Sequence, residues 1–193
     1  MPMNLTPKRV AVLVAEGLEE IEGLTVVDLL YRAGIACDTV SISPKRTVTS
    51  SHQVTIVCNR SIADEDFSFA DYGLLVLPGG IPGTPNLAAC EALTQELLRR
   101  MAADEPVAAI CAAPTILAEL GLLEGRHATC YPDRQSILEE HGAILSPGSV
   151  VVDGNLTTSR GMGTAIDFGL SLIAQIKGQE EADRLARAIV YQD

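Results

Sequence analysis

Tryptophan is the one residue type missing from this 193-residue chain, and aromatic residues reach only 4% of it. Against that scarcity stand 47% apolar and 20% charged residues, a balance that excludes intrinsic disorder, collagen-like repeats and a mini-protein held by crosslinks. Basic residues are also in short supply: 14 Lys and Arg face 25 Asp and Glu, for a formal charge of −11. Such a field repels phosphate backbones and anionic headgroups, so neither nucleic acid nor a membrane surface is an expected partner. Long hydrophobic runs are lacking too. The longest, such as Val10 to Ala15 and Val107 to Ala113, fall far short of the roughly 20 residues that cross a bilayer. Met1 to Arg9 carries no secretory hydrophobic core with a small-residue cleavage site, and a cytoplasmic location is expected.

The five cysteines (Cys37, Cys58, Cys90, Cys111, Cys130) show neither CxxC pairs nor zinc spacing, and their odd number leaves at least one thiol without an intrachain partner. His52, His127 and His141 have no ligand spacing among themselves, so no metal site is expected. With no internal repeat, low-complexity tract or break in composition, residues 1–193 read as one domain.

What the chain does have is punctuation. Val10 to Ala15 is continuously apolar, as in a strand covered on both faces. Ile21, Leu24, Val27, Leu30 and Tyr31 then recur at the spacing of one helix face, and Gly34 stops the pattern. The alternation continues through strands at Cys37 to Ile42, Leu74 to Leu77 and Val107 to Ile110, a long helix from Leu87 to Ala103, and a helix from Ala113 to Leu120. Shorter strands are expected near Ala128 to Cys130, Val150 to Val152 and Leu156 to Ser159, with helices at Gln135 to His141, Thr164 to Ile176 and Glu180 to Ile189. Thr47 to Cys58 reads as a hairpin or sheet-edge excursion. The expected fold is α/β, a doubly wound and mostly parallel sheet sandwiched by helices.

In such sheets reactive groups gather beyond the carboxyl ends of the strands, and three junctions there stand out. Ala109-Ile110-Cys111-Ala112-Ala113-Pro114 places a thiol where a buried strand meets a helix start, whose field favours thiolate. Leu77-Pro78-Gly79-Gly80 ends another strand with glycines that let backbone N–H groups approach a ligand, Gly80 being a candidate oxyanion donor. Gly17-Leu18-Glu19-Glu20-Ile21-Glu22 sets three carboxylates at a helix start. Position alone also allows blander readings: Cys111 as a buried structural thiol, Glu22 as a solvated helix-start charge.

Ala15-Glu16-Gly17-Leu18-Glu19-Glu20-Ile21-Glu22, Tyr31-Arg32-Ala33-Gly34, the Pro78-Gly79-Gly80 turn, the Cys111 junction and Thr158-Ser159-Arg160-Gly161-Met162-Gly163-Thr164 occur in this order. Together they resemble the DJ-1/ThiJ/PfpI superfamily, most of all its parkinsonism-associated deglycase branch and bacterial relatives, nearly end to end. The resemblance implies a flavodoxin-like fold, akin to class I glutamine amidotransferases. It implies that Cys111 is the reactive cysteine at a nucleophile elbow, Glu22 the acid touching its sulfur, and the Gly80 and Cys111 amides the oxyanion donors. Gly79, Ala112, Tyr131 and Arg160 are the expected substrate-binding residues, Arg160 as an anion clamp or simply a surface or interface charge. Cys130, beside Tyr131, is a further candidate as a resolving thiol or as core.

Two departures narrow the chemistry. Tyr131 stands where many members keep a histidine, and a phenol with a pKa near 10 is a poor base at neutral pH. Ala112 follows the cysteine where the protease-like branch has histidine, which argues against a peptidase. What remains is a cofactor-independent glyoxalase or deglycase acting on methylglyoxal-type dicarbonyls or their early protein or thiol adducts. The alternative is an oxidative-stress sensor or redox-regulated chaperone built on the same oxidisable cysteine. The resemblance also implies a homodimer, with Arg32 on the contact face.

Overall fold

The computed structural model describes residues 9–191, so Met1 to Lys8 of the amino-terminal stretch considered above lie outside the described residues. The first strand, β1 (Arg9–Val14), leads into helix α1 (Glu20–Arg32) and strand β2 (Cys37–Ser41), after which β3 (Thr47–Thr49) and β4 (Thr55–Val57) form the expected hairpin. Next come β5 (Arg60–Ser61), β6 (Tyr72–Leu77), α2 (Gly83–Ala88), α3 (Glu91–Ala102), β7 (Val107–Ile110) and α4 (Pro114–Glu119). The last part comprises β8 (His127–Ala128), α5 (Gln135–Glu140), β9 (Ile144–Leu145), β10 (Val150–Asp153), β11 (Leu156–Ser159), α6 (Ala165–Lys177) and α7 (Gln179–Ala188). Seven strands form the main sheet in the order β10-β11-β7-β6-β1-β2-β5. All its neighbours run parallel except the β10–β11 pair at one edge.

Alternate residues of each central strand feed opposite layers, as the period of two requires. Ala11, Leu13, Leu75, Leu77 and Ala109 join Leu93, Leu97 and Leu117 in one apolar cluster. Val10, Val12, Leu74, Val76, Ala108 and Ile110 join Val26, Leu29, Phe168 and Leu172 in the other. The sheet is therefore doubly wound. Where α1 and α6 cross, a Cβ on Gly169 would lie 2.5 Å from Leu29 Cδ1, so the approach depends on that glycine.

Two expected elements differ. The periodic face read for α1 packs only in part: Leu30 is buried and Val27 lies against the core, but Ile21, Leu24 and Tyr31 are exposed, while Glu22, Gly23, Val26 and Leu29 are buried. The helix is turned so that a carboxylate and a glycine, not two large aliphatics, meet the strand ends. The long helix expected from Leu87 to Ala103 is broken at Cys90, whose extended backbone caps α3. Leu87, Leu93 and Leu97 are all buried, and Leu87 and Leu93 do not share one face of a straight helix, so the bend turns both inward.

Arg100 on α3 ties this layer to the strand entries. Fully buried, it donates to Glu96 Oε1 at 2.9 Å and to the carbonyls of Phe69, Tyr72 and Pro106, at the starts of β6 and β7. Burial lowers its pKa, opposed by Glu96. Breaking such a set removes a donor from three carbonyls and from Glu96, which keeps its bonds from Arg99. Arg100→Ala is expected to lose about 3–5 kcal/mol in urea unfolding; a loss under about 1 kcal/mol would contradict this account.

Candidate active site

The carboxyl ends of β1, β6 and β7 open on one another, and the loops leaving them carry Glu22, Gly79 and Cys111. Cys111 follows β7 directly and adopts φ +66, the left-handed region that a non-glycine residue enters only at a cost. That conformation makes the strand-to-helix junction an elbow with the thiol at its tip. The Tyr131 N–H donates to the Cys111 carbonyl at 2.8 Å and holds the tip from the far side.

Glu22 sits in the first turn of α1, where Glu19 caps the helix by accepting from the Glu22 N–H at 3.1 Å. Its side chain turns inward and is 1% exposed. Oε2 accepts from the Gly79 N–H at 2.9 Å. Oε1 is buried without a well-aligned hydrogen bond, although the Cys111 thiol and the Met162 N–H are close enough to bear on its proton. Glycine at 79 is a steric necessity: a Cβ there would lie 2.7 Å from both Cys111 Cβ and Glu22 Oε2. Gly80 is constrained in another way, with φ +100 and a would-be Cβ 2.3 Å from the Glu19 nitrogen.

Burial drives the electrostatics. It pushes the Glu22 carboxyl up to about 7, opposed by the thiol and the Gly79 N–H. Burial, then the charge of Glu22, push the Cys111 thiol up to about 12, opposed by the Ala112 and Gly80 N–H groups. The thiolate expected from a helix start is thus not what this environment favours while Glu22 is ionised, and α4 is a helix of only six residues. The two groups compete for one negative charge; protonating Glu22 removes its repulsion of a thiolate, and burial, the larger cause, continues to favour the neutral thiol.

The structure brings most of the expected residues together. Of the two amides expected as oxyanion donors, the Cys111 N–H is spent on the Ser159 carbonyl at 2.9 Å, because the β7–β11 ladder runs one residue past its last paired strand position. The Ala112 N–H faces the sulfur with that of Gly80. Tyr131 is 45% exposed at the mouth. Gly161, which the sequence reading does not single out, lies among the key groups: a Cβ there would be 3.5 Å from Tyr131 Cδ2 and 3.9 Å from both Cys111 Sγ and Glu22 Oε1. The signal for it is its place two residues past the end of the buried strand β11.

Arg160 is attached through its backbone, its N–H donating to Ser149 O at 3.3 Å. Its side chain forms no ion pair among the described residues. Cys130 is wholly buried in an apolar cluster and pushed up to about 12 by burial, the environment of a core thiol and not of a resolving one. His52 is drawn to the site's edge, its Nδ1 lying 3.1 Å from both Glu20 carboxylate oxygens and 3.7 Å from Glu19 Oε1.

A doubly wound sheet presenting a nucleophilic side chain on a strained turn defines the broad class of nucleophile-elbow proteins. Comparison with known proteins narrows it: the profile of the DJ-1/PfpI family matches residues 8–175, and the chain belongs to that family. It is 35% identical over 184 residues to Drosophila melanogaster protein DJ-1alpha, covering 95% of this chain and 84% of that protein. It is 28% identical to the Caenorhabditis elegans glutathione-independent glyoxalase DJR-1.2, covering 90% of this chain and 91% of that one. Among solved structures, oxidized Toxoplasma gondii DJ-1 superposes with a TM-score of 0.88 at 32% identity, over 96% of this chain and all of that one.

A buried carboxyl whose folded pKa is raised binds a proton that the unfolded chain releases, so stability is lost as pH rises from 4.5 through about 7. Glu22→Gln is therefore expected to resist urea better than the parent at pH 8, by at most about 3 kcal/mol. The gap should close toward pH 4.5, and equal stabilities at pH 8 would show that the carboxyl ionises there without penalty.

Proposed function

We propose that the protein converts α-oxoaldehydes such as methylglyoxal to 2-hydroxy acids without a cofactor. The observation that carries this reading is the buried Glu22 carboxyl, held by the Gly79 N–H and close enough to the Cys111 thiol to bear on its proton. A base poised near neutrality beside a nucleophile is what a proton shuttle between adjacent carbons needs. The relative named a glutathione-independent glyoxalase supports the same chemistry.

In this mechanism the Cys111 sulfur bonds to the aldehyde carbon, its proton passing to Glu22, while the Gly80 and Ala112 N–H groups bind the oxygen as it gains charge. The adduct is a hemithioacetal. Glu22, ionised again once that proton has passed to the oxygen, takes the proton from the former aldehyde carbon and returns it to the neighbouring carbon while the hydroxyl proton moves to the neighbouring oxygen, giving a thioester of a 2-hydroxy acid. Water cleaves the carbon–sulfur bond, releasing the acid and restoring the thiol. One carbon is oxidised as its neighbour is reduced, so no external oxidant or reductant enters. Adducts of dicarbonyls with protein amines or thiols present the same aldehyde-level carbon and are possible substrates of a deglycase variant of the cycle.

The test is hydroxy-acid formation from methylglyoxal against buffer controls. Cys111→Ser is expected to abolish it, and Glu22→Gln to lower kcat/KM about 100-fold or more. Full turnover by Cys111→Ser would refute the proposal. No turnover by the wild-type chain would also refute it, and would favour the oxidation reading, in which a protonated Glu22 Oε1 donates to an oxygen of a Cys111 sulfinate.

We also propose that the chain pairs with a second copy through α1. Ile21, Leu24 and Tyr31 project from that helix into solvent, and a groove of about 570 Å³ beside it is lined by Leu24, Arg32, Ile166 and Val190. Sedimentation should give twice the chain mass, shifting to the monomer in Leu24→Glu. A wild-type monomer at micromolar concentration would overturn this pairing.

A further inference from the structure

Next to the residues flanking the site, at Ala112 and Ile81, lies a second concavity that the proposed cycle does not use. It holds about 500 Å³ between α2, α4 and α5, with walls formed by Ile81, Thr84, Ala88, Ala112, Ile116 and Ile137. It shares Ala112 with the site. Ala112 is a wall residue whose own N–H faces the Cys111 sulfur, and Ile81 follows Gly80, which supplies the other N–H. Thr84 belongs to the same turn, its N–H donating to the Gly80 carbonyl at 2.8 Å. Its hydroxyl is buried with no hydrogen-bond partner among the described residues, and the residue is 6% exposed.

We infer that this groove receives the carbon substituent of the α-oxoaldehyde, and that the preferred substrates carry an aryl or bulky aliphatic group in place of the methyl of methylglyoxal. The inference rests on the function proposed above. A carbonyl bonded to Cys111, with its oxygen at the Gly80 and Ala112 amides, has its other substituent beside Ile81 and Ala112, at the entrance to the groove. The volume falls in the range of small-molecule sites, and a methyl group fills little of it. The walls are mainly apolar, and the two charged lining residues, Glu119 and Arg134, are of opposite sign and exposed. The groove therefore selects for a neutral, apolar group and not for an ion.

The experiment uses the full chain and two readouts. The first is the ratio of kcat/KM for phenylglyoxal to that for glyoxal, in wild type and in Ala89→Trp, which places a bulky ring on an exposed lining position. The second is calorimetric binding of mandelate, the hydroxy acid that phenylglyoxal would yield, which needs no turnover. Wild type is expected to favour phenylglyoxal at least tenfold. Ala89→Trp should reduce that ratio at least tenfold and weaken mandelate to a similar extent, and Ile81→Ala should reduce both several-fold. If both aldehydes are turned over but neither readout responds to Ala89→Trp, the groove assignment is overturned while the function stands. If nothing is turned over but mandelate binds and Ala89→Trp weakens it, the groove stands as an aryl site and the function falls. Neither turnover nor mandelate binding overturns both.

Discussion

One buried carboxylate sets the terms for this fold. Glu22 is 1% exposed and meets the Gly79 N–H at 2.9 Å, and a charge in that position costs free energy unless it is bonded or neutralised. Everything around it accommodates that demand. Helix α1 is rotated to bring Glu22 and Gly23 inward, which leaves Ile21, Leu24 and Tyr31 in water. Gly79 gives up its side chain so that carboxyl, amide and thiol can share one small volume. Apolar residues exposed at one face are thus the counterpart of a polar residue buried at the other.

The thiol is placed by backbone strain and by the sheet. Cys111 adopts φ +66 at the end of β7, and such a conformation persists only where its surroundings over-determine it. Here the ladder to Ser159 fixes its N–H and the Tyr131 N–H fixes its carbonyl, both within 2.9 Å. These bonds also decide which amides remain to meet a reacting oxygen. With the Cys111 N–H committed to the sheet, the open donors belong to Ala112 and Gly80, one from each of two parallel strands' exit loops. Parallel neighbours β6 and β7 are what bring those loops side by side.

The fold was largely legible in the sequence because apolar runs and glycine stops occur at strand and helix periods over most of the chain. The motif junctions placed Cys111, Glu22, Gly79 and Gly80 at adjoining strand ends, where the structure has them. Less legible were features that depend on packing in three dimensions. The periodic reading of α1 chose Ile21, Leu24 and Tyr31 because hydrophobicity is its only signal, and it cannot see that a carboxylate has a partner waiting in another loop. The bend at Cys90 escaped for a similar reason, since only the shared burial of Leu87 and Leu93 requires it. Arg100 gave no sign at all: an arginine following another arginine on a helix reads as surface until its three carbonyl partners are in place.

Tyr131 raises the question of where a proton can reside. No histidine contributes to the thiol's immediate surroundings among the described residues: His127 is directed at Ser146, His141 at the Ile137 carbonyl and His52 at Glu20. The burden falls on Glu22, whose proton is held by burial and by the nearby negative charge of Glu19. Glu19 in turn caps α1 and lies 3.7 Å from His52 on the turn of the β3–β4 hairpin. With no imidazole beside the sulfur among the described residues, the ionisable side chain nearest the thiol is Glu22, and burial above all else holds its proton.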